Sequence, residues 1–185
     1  MSGIKGNRRT LYSKMIIKES LIKLLQTKDI HKITVTDICK EADINRGTFY
    51  THYNDPLDLL QNIEDELFNK ILEYLSEDTN PESLLTVLTK VFELAKDNKE
   101  LCKILLFKEG DNRILNRILY IANNDNIIKF QSNSKNVNKT HLDYMIRFTV
   151  SGAVGVIEAW LENDLKESPR EIAEIINSIT IAIMG

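Results

Sequence analysis

Cysteine, glycine, proline and long apolar runs are all scarce in this chain of 185 residues, and each scarcity excludes something. The two cysteines, Cys39 and Cys102, stand alone, without a CxxC pair or a histidine at ligand spacing. A disulfide framework and a zinc site are therefore not expected, and no metal or cofactor is assigned. Only 7 glycines and 3 prolines argue against many short strands joined by turns. The most apolar stretch, Phe148 to Ile157, is about half the ~20 residues that a bilayer crossing needs. Near the N-terminus, Lys14 and Lys18 interrupt the apolar pattern, so no export signal is visible and a cytoplasmic protein is expected. Of the 3 histidines, His31 and His141 sit beside helix starts, and no nucleophile, base and orienting partner recur together. The sequence does not read as an enzyme.

What is present is 43% apolar residue, with leucine and isoleucine interleaved by lysine and glutamate. That composition reads as all-α, with about nine helices. Charge is divided unevenly. Residues 1–56 carry 10 Lys/Arg against 6 Asp/Glu, whereas residues 57–185 carry 14 against 21. A basic head is drawn towards phosphates and an acidic body is kept from them, although an ordinary solvated surface has the same signature.

The apolar spacing of Leu11, Met15, Ile17, Leu21, Leu24 and Leu25 predicts a helix over 10–27. Thr34, with Asp37 three residues on, opens a short second helix. Ala42 to Asn45 break the pattern, and Arg46 to Tyr53 resume it, with Phe49 and Tyr53 on one side. Asp55 and Pro56 then start a strut to about Ser76, roughly 30 Å long. The chain divides into a head, 1–55, and a body, 56–185. In the body, helices are expected from Asn80-Pro81 to about Asp97, over 101–107 and over 114–121, with a polar Asn/Ser-rich loop over 123–139. Two long helices close the chain, one from Thr140 to about Asn163 and one from the capping box Ser168-Pro169-Arg170-Glu171. Ser151, Gly152, Ala153 and Gly155 give the first a smooth face for close helix pairing. Ile172, Ile175, Ile176, Ile179 and Ile183 make the second apolar on most sides.

A short positioning helix, a tight turn and a second helix with small polar side chains facing out are what the major groove of DNA accepts. Residues 34–53 meet that description. With Phe49 and Tyr53 as core anchors, Arg46, Thr48, Thr51 and His52 turn outward, and Asn45 caps the helix start. Over residues 8–60, and most closely from Thr34 to Tyr53 and Leu57 to Leu60, the chain resembles the DNA-binding domain of the tetracycline-repressor (TetR) family. The resemblance implies that Thr34, Tyr50 and His52 hold phosphates and that Thr36, Asn45, Arg46, Gly47, Thr48 and Thr51 line the groove. It further implies a homodimer built from the last two long helices and a small-molecule cavity in the body. Gly152 to Leu161 and the start at Ser168-Pro169 are similar to the end of many family members. Two positions depart from the pattern. Asp43 stands where glycine is frequent, and aspartate tolerates the left-handed conformation better than most residues. Pro56 stands where a phosphate-touching lysine is frequent, a loss for which Arg8 and Arg9 are the candidate replacements.

The resulting expectation is a sequence-specific DNA-binding regulator. It binds a palindromic operator as a homodimer and represses until a small molecule releases it. Gly152, Gly155, Val156, Ile172, Ile176, Ile179 and Ile183 are the candidate subunit contacts. Phe92, Phe107, Tyr120, Tyr144, Phe148 and Trp160 either line a ligand cavity or are plain core. Alternatives are an activator, a regulator controlled by a protein partner, a helical interaction module that binds no DNA, and a small helical enzyme or carrier.

Overall fold

A computed structural model describes residues 3–76, 83–107, 116–120 and 139–184. These residues contain helices and turns, with no strand among them. Two compact units are present, Met1–Asn69 and Lys70–Gly185. The division falls inside the fourth helix, fourteen residues beyond the expected head, because that helix's first half buries Leu59, Leu60 and Ile63 in the first unit's core.

The first unit opens with α1 (Gly3–Leu25), which begins about two turns earlier than the apolar spacing indicated. Its buried positions are Ile17, Ser20, Leu21 and Leu25, a single i, i+3, i+4 stripe. Leu11 and Met15, expected on that stripe, are exposed. A 3₁₀ turn at Ile30–Lys32 follows, capped by Asp29, whose side chain accepts from the His31 N–H. Then come α2 (Val35–Glu41), α3 (Arg46–Tyr50) and the start of α4 (Pro56–Ser76). Helix α2 packs on α1 and on α3. Ion pairs join Lys18 to Glu66 and Lys23 to Glu41, and Lys28 lies 3.4 Å from Asp37. All three are solvent-exposed on at least one side, so packing rather than charge holds the unit together. Phe49 is fully buried, with Tyr53 at 5.9 Å between ring centroids.

The second unit contains α5 (Ser83–Asp97), α6 (Lys99–Phe107), a helical segment over 116–120 (α7), α8 (Lys139–Glu162) and α9 (Pro169–Met184). The expected helix start at Asn80-Pro81 and the expected polar loop lie outside the described residues, apart from Lys139, which opens α8. Helix α9 runs along α5 and touches α8, while α6 rests on α8 and α5. Phe92 of α5 and Trp160 of α8 meet edge to face, 5.6 Å apart, at the centre of this packing. The Trp160 indole N–H donates to the Glu167 carbonyl at 3.0 Å, which ties the α8–α9 connection to the core. Helix α8 ends in a Schellman arrangement, the Leu165 N–H donating to the Trp160 carbonyl at 2.9 Å. Asp164 and Leu165 there have φ of 57° and 56°, a left-handed pair without glycine. Asp164 is fixed by Lys99 at 3.2 Å and Lys103 at 3.8 Å. Ser168 caps α9 reciprocally with Glu171, as the capping box indicated.

Candidate nucleic-acid interface

The turn between α2 and α3 is set by caps on both sides. At the start of α2 the Asp37 N–H donates to the Thr34 hydroxyl at 3.2 Å, and the Thr34 N–H donates back to the Asp37 carboxylate at 3.0 Å. The bond from the Thr34 N–H first, and one from the Thr34 hydroxyl after it, hold the Asp37 carboxyl below its usual value. The Thr34 hydroxyl also donates to the same carboxylate at 2.8 Å. Helix α2 closes with Asp43 at φ 51° and the Ile44 N–H on the Cys39 carbonyl at 3.0 Å. Aspartate therefore fills the left-handed position where glycine is more usual, and the turn forms without it.

Asn45 begins α3, its side-chain oxygen accepting from the Thr48 N–H at 2.8 Å and from the Thr48 hydroxyl at 3.2 Å. Gly47 has a local reason to be glycine. A Cβ there would lie 3.2 Å from that capping oxygen. After Tyr50 the regular helix stops, shorter than the expected 46–53. The His52 and Tyr53 N–H groups still reach the Phe49 carbonyl at 2.9 and 3.0 Å, so the curl continues far enough to bury Tyr53. Burial, aided by Glu66 and Asp58, pushes the Tyr53 phenol up to about 12.

With Phe49 and Tyr53 turned in, Thr36, Asn45, Arg46, Gly47, Tyr50 and Thr51 are exposed, Thr48 and His52 half-buried. Arg46 donates through Nη2 to the Thr36 hydroxyl at 2.7 Å, which bridges the two helices across the turn. The Thr51 hydroxyl is taken up by the Thr48 carbonyl at 2.6 Å. The Tyr50 ring stands edge-on to Phe49, its centroid 5.7 Å away, while 58% of the residue faces solvent. Arg8 and Arg9 are exposed in the early turns of α1. At Pro56, Asp55 caps α4 by accepting from the Asp58 N–H at 2.9 Å, so proline occupies the first helical position, where no N–H is needed.

Residues 17–63 match the model of bacterial regulatory proteins of the TetR family, and residues 82–182 match a transcriptional regulator C-terminal region of the same group. The chain belongs to the TetR family. Among relatives, the uncharacterized HTH-type transcriptional regulator YxbF of Bacillus subtilis (strain 168) is 31% identical over 51 residues. That match spans 28% of this chain and 13% of the relative. Among solved structures, the regulator FadR of Bacillus subtilis, in complex with stearoyl-CoA, superposes with a TM-score of 0.69 at 19% identity, covering 92% of this chain and 99% of that one. A TetR regulator of Streptococcus agalactiae 2603V gives 0.67 at 21%, covering 97% and 99%. At these identities the likeness is one of fold. TetR-family architecture, an N-terminal helix-turn-helix unit followed by a helical C-terminal unit, is the fold of this chain.

The remaining sequence candidates lie in the second unit. Phe92 and Trp160 are packed against each other, 1% and 2% exposed, whereas Phe107, Tyr120, Tyr144 and Phe148 face solvent. Ile172 and Ile176, named as subunit contacts, are buried within the chain, because α9 turns Ile172, Ala173 and Ile176 inward. Its outward side carries Ile175, Ile179 and Ile181. Val156 and Ile183 are half-buried. Gly152 and Gly155 are open, with nothing among the described residues within 4 Å of a Cβ at either. Ile175 and Ile181 were absent from the sequence candidates because a helix that is apolar all round does not disclose which side its own chain covers. Among the described residues no helix is long and apolar enough to cross a membrane, and no group of three His, Cys, Asp or Glu could hold a metal ion.

Proposed function

We propose that this TetR-family regulator binds duplex DNA sequence-specifically through α3, as a homodimer on a palindromic operator, and represses transcription until a small molecule in its second unit releases it. The observation that carries the reading is the exposed set Thr36, Arg46, Tyr50 and Thr51, with half-buried Thr48 among them, held outward by the buried anchors Phe49 and Tyr53. Arginine, threonine and tyrosine donors suit guanine edges and phosphate oxygens. Thr34 and His52 join the phosphate set, with Arg8 and Arg9 as further cations for the backbone. Asn45 and Gly47 keep the start of α3 close to the groove.

The outward isoleucines of α9 and the open glycine face of α8 support a subunit interface. Ile175 and Ile179 are each 47% exposed, an apolar stripe that an isolated chain would leave in water. A two-fold axis through such a pair presents two α3 helices to successive major grooves about 34–36 Å apart. The family's cytoplasmic setting agrees with buried, unpaired cysteines. An effector acts by binding the DNA-competent and incompetent states unequally, typically by about 1–3 kcal/mol.

The test is selection of bound duplex from a random pool at fixed salt. A consensus with two-fold symmetry and half-sites one helical turn apart is the expected result. Enrichment of no sequence, from a protein that sediments as a monomer, would refute the reading in favour of a helical interaction module.

A further inference from the structure

The bond between Arg46 and Thr36 gives these two residues different tasks. We propose that Arg46 is the base-reading residue of the site, directed at a guanine. Thr36 is a positioning residue that acts on sequence preference through Arg46 and not through a phosphate of its own. The inference rests on the DNA-binding reading above.

Arg46 occupies the first position of α3, and its guanidinium crosses the turn to reach α2, where Nη2 donates to the Thr36 hydroxyl at 2.7 Å. Both residues are exposed. The cation also lies close enough to Cys39, on α2 with Thr36, for its charge to oppose the upward push that burial gives the thiol. Among the described residues no carboxylate pairs with Arg46. Its charge is therefore unneutralised, and a neutral hydroxyl fixes its direction.

Of five guanidinium hydrogens one is used by Thr36, which leaves four on a planar fork. Two parallel bonds to the O6 and N7 acceptors of guanine are the match such a fork makes best. A free arginine has to be immobilised when it engages a base, which costs roughly two- to tenfold in binding. Part of that cost is met in advance by the bond to Thr36. The cost arises only where the fork engages its base, so losing the hydroxyl lowers discrimination at one base pair and leaves affinity for other sequences alone. A phosphate-holding threonine behaves differently. Its removal weakens all sequences alike and lowers the salt slope by about one.

The experiment measures binding of the wild-type protein, Arg46→Ala, Thr36→Val and Thr36→Ser to the selected operator and to its single-base variants, over a salt series, with melting curves to establish folding. In the wild type one guanine per half-site is expected to be preferred. Arg46→Ala abolishes that preference, a loss of about fivefold to a hundredfold. Thr36→Val reduces it at the same base pair by roughly two- to tenfold with an unchanged salt slope, and Thr36→Ser restores it. The inference is overturned if Thr36→Val weakens all sequences equally, if its slope falls by about one, if Thr36→Ser matches Thr36→Val, or if Arg46→Ala keeps every base preference. Absence of any wild-type consensus overturns the DNA-binding reading as well, and is seen before a variant is made.

Discussion

At Gly47 a Cβ would stand 3.2 Å from the Asn45 oxygen that caps α3, so a larger residue there requires that cap to shift by a few tenths of an ångström. Thr34 is similarly committed. Its N–H and its hydroxyl both donate to Asp37, so a phosphate held by that hydroxyl must first draw it away from the carboxylate. Arg46 uses only one of its five donor hydrogens on Thr36, and the proposed reading places discrimination most directly on that residue. Inside the chain the two cysteines are inert for the same kind of reason. Burial pushes the Cys102 thiol up to about 12 and raises that of Cys39, where the nearby Arg46 charge offsets it only in part. Reactivity follows the thiolate and its exposure. Native protein is therefore expected to resist a thiol-labelling reagent at neutral pH, and the urea-unfolded chain to take up two labels, counted by mass spectrometry. Rapid native labelling at either cysteine would contradict the burial.

At the scale of the element, two reciprocal caps, Thr34 with Asp37 and Ser168 with Glu171, start helices in the two units. Replacing either cap residue by alanine is expected to cost about 1 kcal/mol, read from urea midpoints. The carboxylates add a pH dependence. Asp37 and Glu171 are held below 3.8 and 4.5 by hydrogen bonds that favour the ionised form, from Thr34 and Ser168 respectively. Such a group stabilises the fold above its unfolded value, and that contribution is lost as pH falls through the depressed folded value. The urea midpoint is therefore expected to fall on acidification from pH 5 to pH 3. A double variant, Asp37→Asn with Glu171→Gln, loses less over that interval. At the end of α8, Leu165 carries a left-handed backbone that costs a residue with a Cβ about 1–2 kcal/mol. Leu165→Gly is expected to raise the melting temperature if its side chain contributes less than that strain, and a fall of several degrees would show that packing dominates.

These elements also show what the sequence discloses. Caps and anchors were legible, because Thr34, Asn45, Asp55 and Ser168 act on neighbours three residues away. The turn survived its departure at Asp43, since aspartate adopts φ 51° with one backbone bond to hold it. The outward face of α9 was not legible. Isoleucine recurs around the helix, and only packing along α5 decides that Ile172 and Ile176 go inside while Ile175 and Ile179 stay out. Helix α1 began earlier than its apolar spacing because the residues before Thr10 are mostly glycine and polar, which leaves periodicity little to reveal. The bridge from Arg46 to Thr36 spans ten residues across a turn, a separation at which no local pattern predicts a contact.

For the whole molecule, the proposed function depends on two copies of a short surface being presented together. The basic balance of residues 1–56 and the acidic balance of residues 57–185 suit the proposed reading, in which one part of the chain approaches phosphates and the other is kept from them. On that reading Pro56, where a lysine is frequent, removes a cation, and the salt slope is set by the other proposed phosphate contacts. The most direct measurement is binding of the double variant Thr48→Ala with Tyr50→Ala to the wild-type protein's selected operator, at fixed salt, with melting temperature and oligomeric state measured alongside. Specific affinity is expected to fall at least tenfold while the fold and the proposed dimer are retained, because each α3 loses the Thr48 and Tyr50 hydroxyls to which the proposal assigns groove and phosphate contacts. Unchanged sequence-specific binding by that variant would show that the surface from Asn45 to Tyr53 is not what reads DNA.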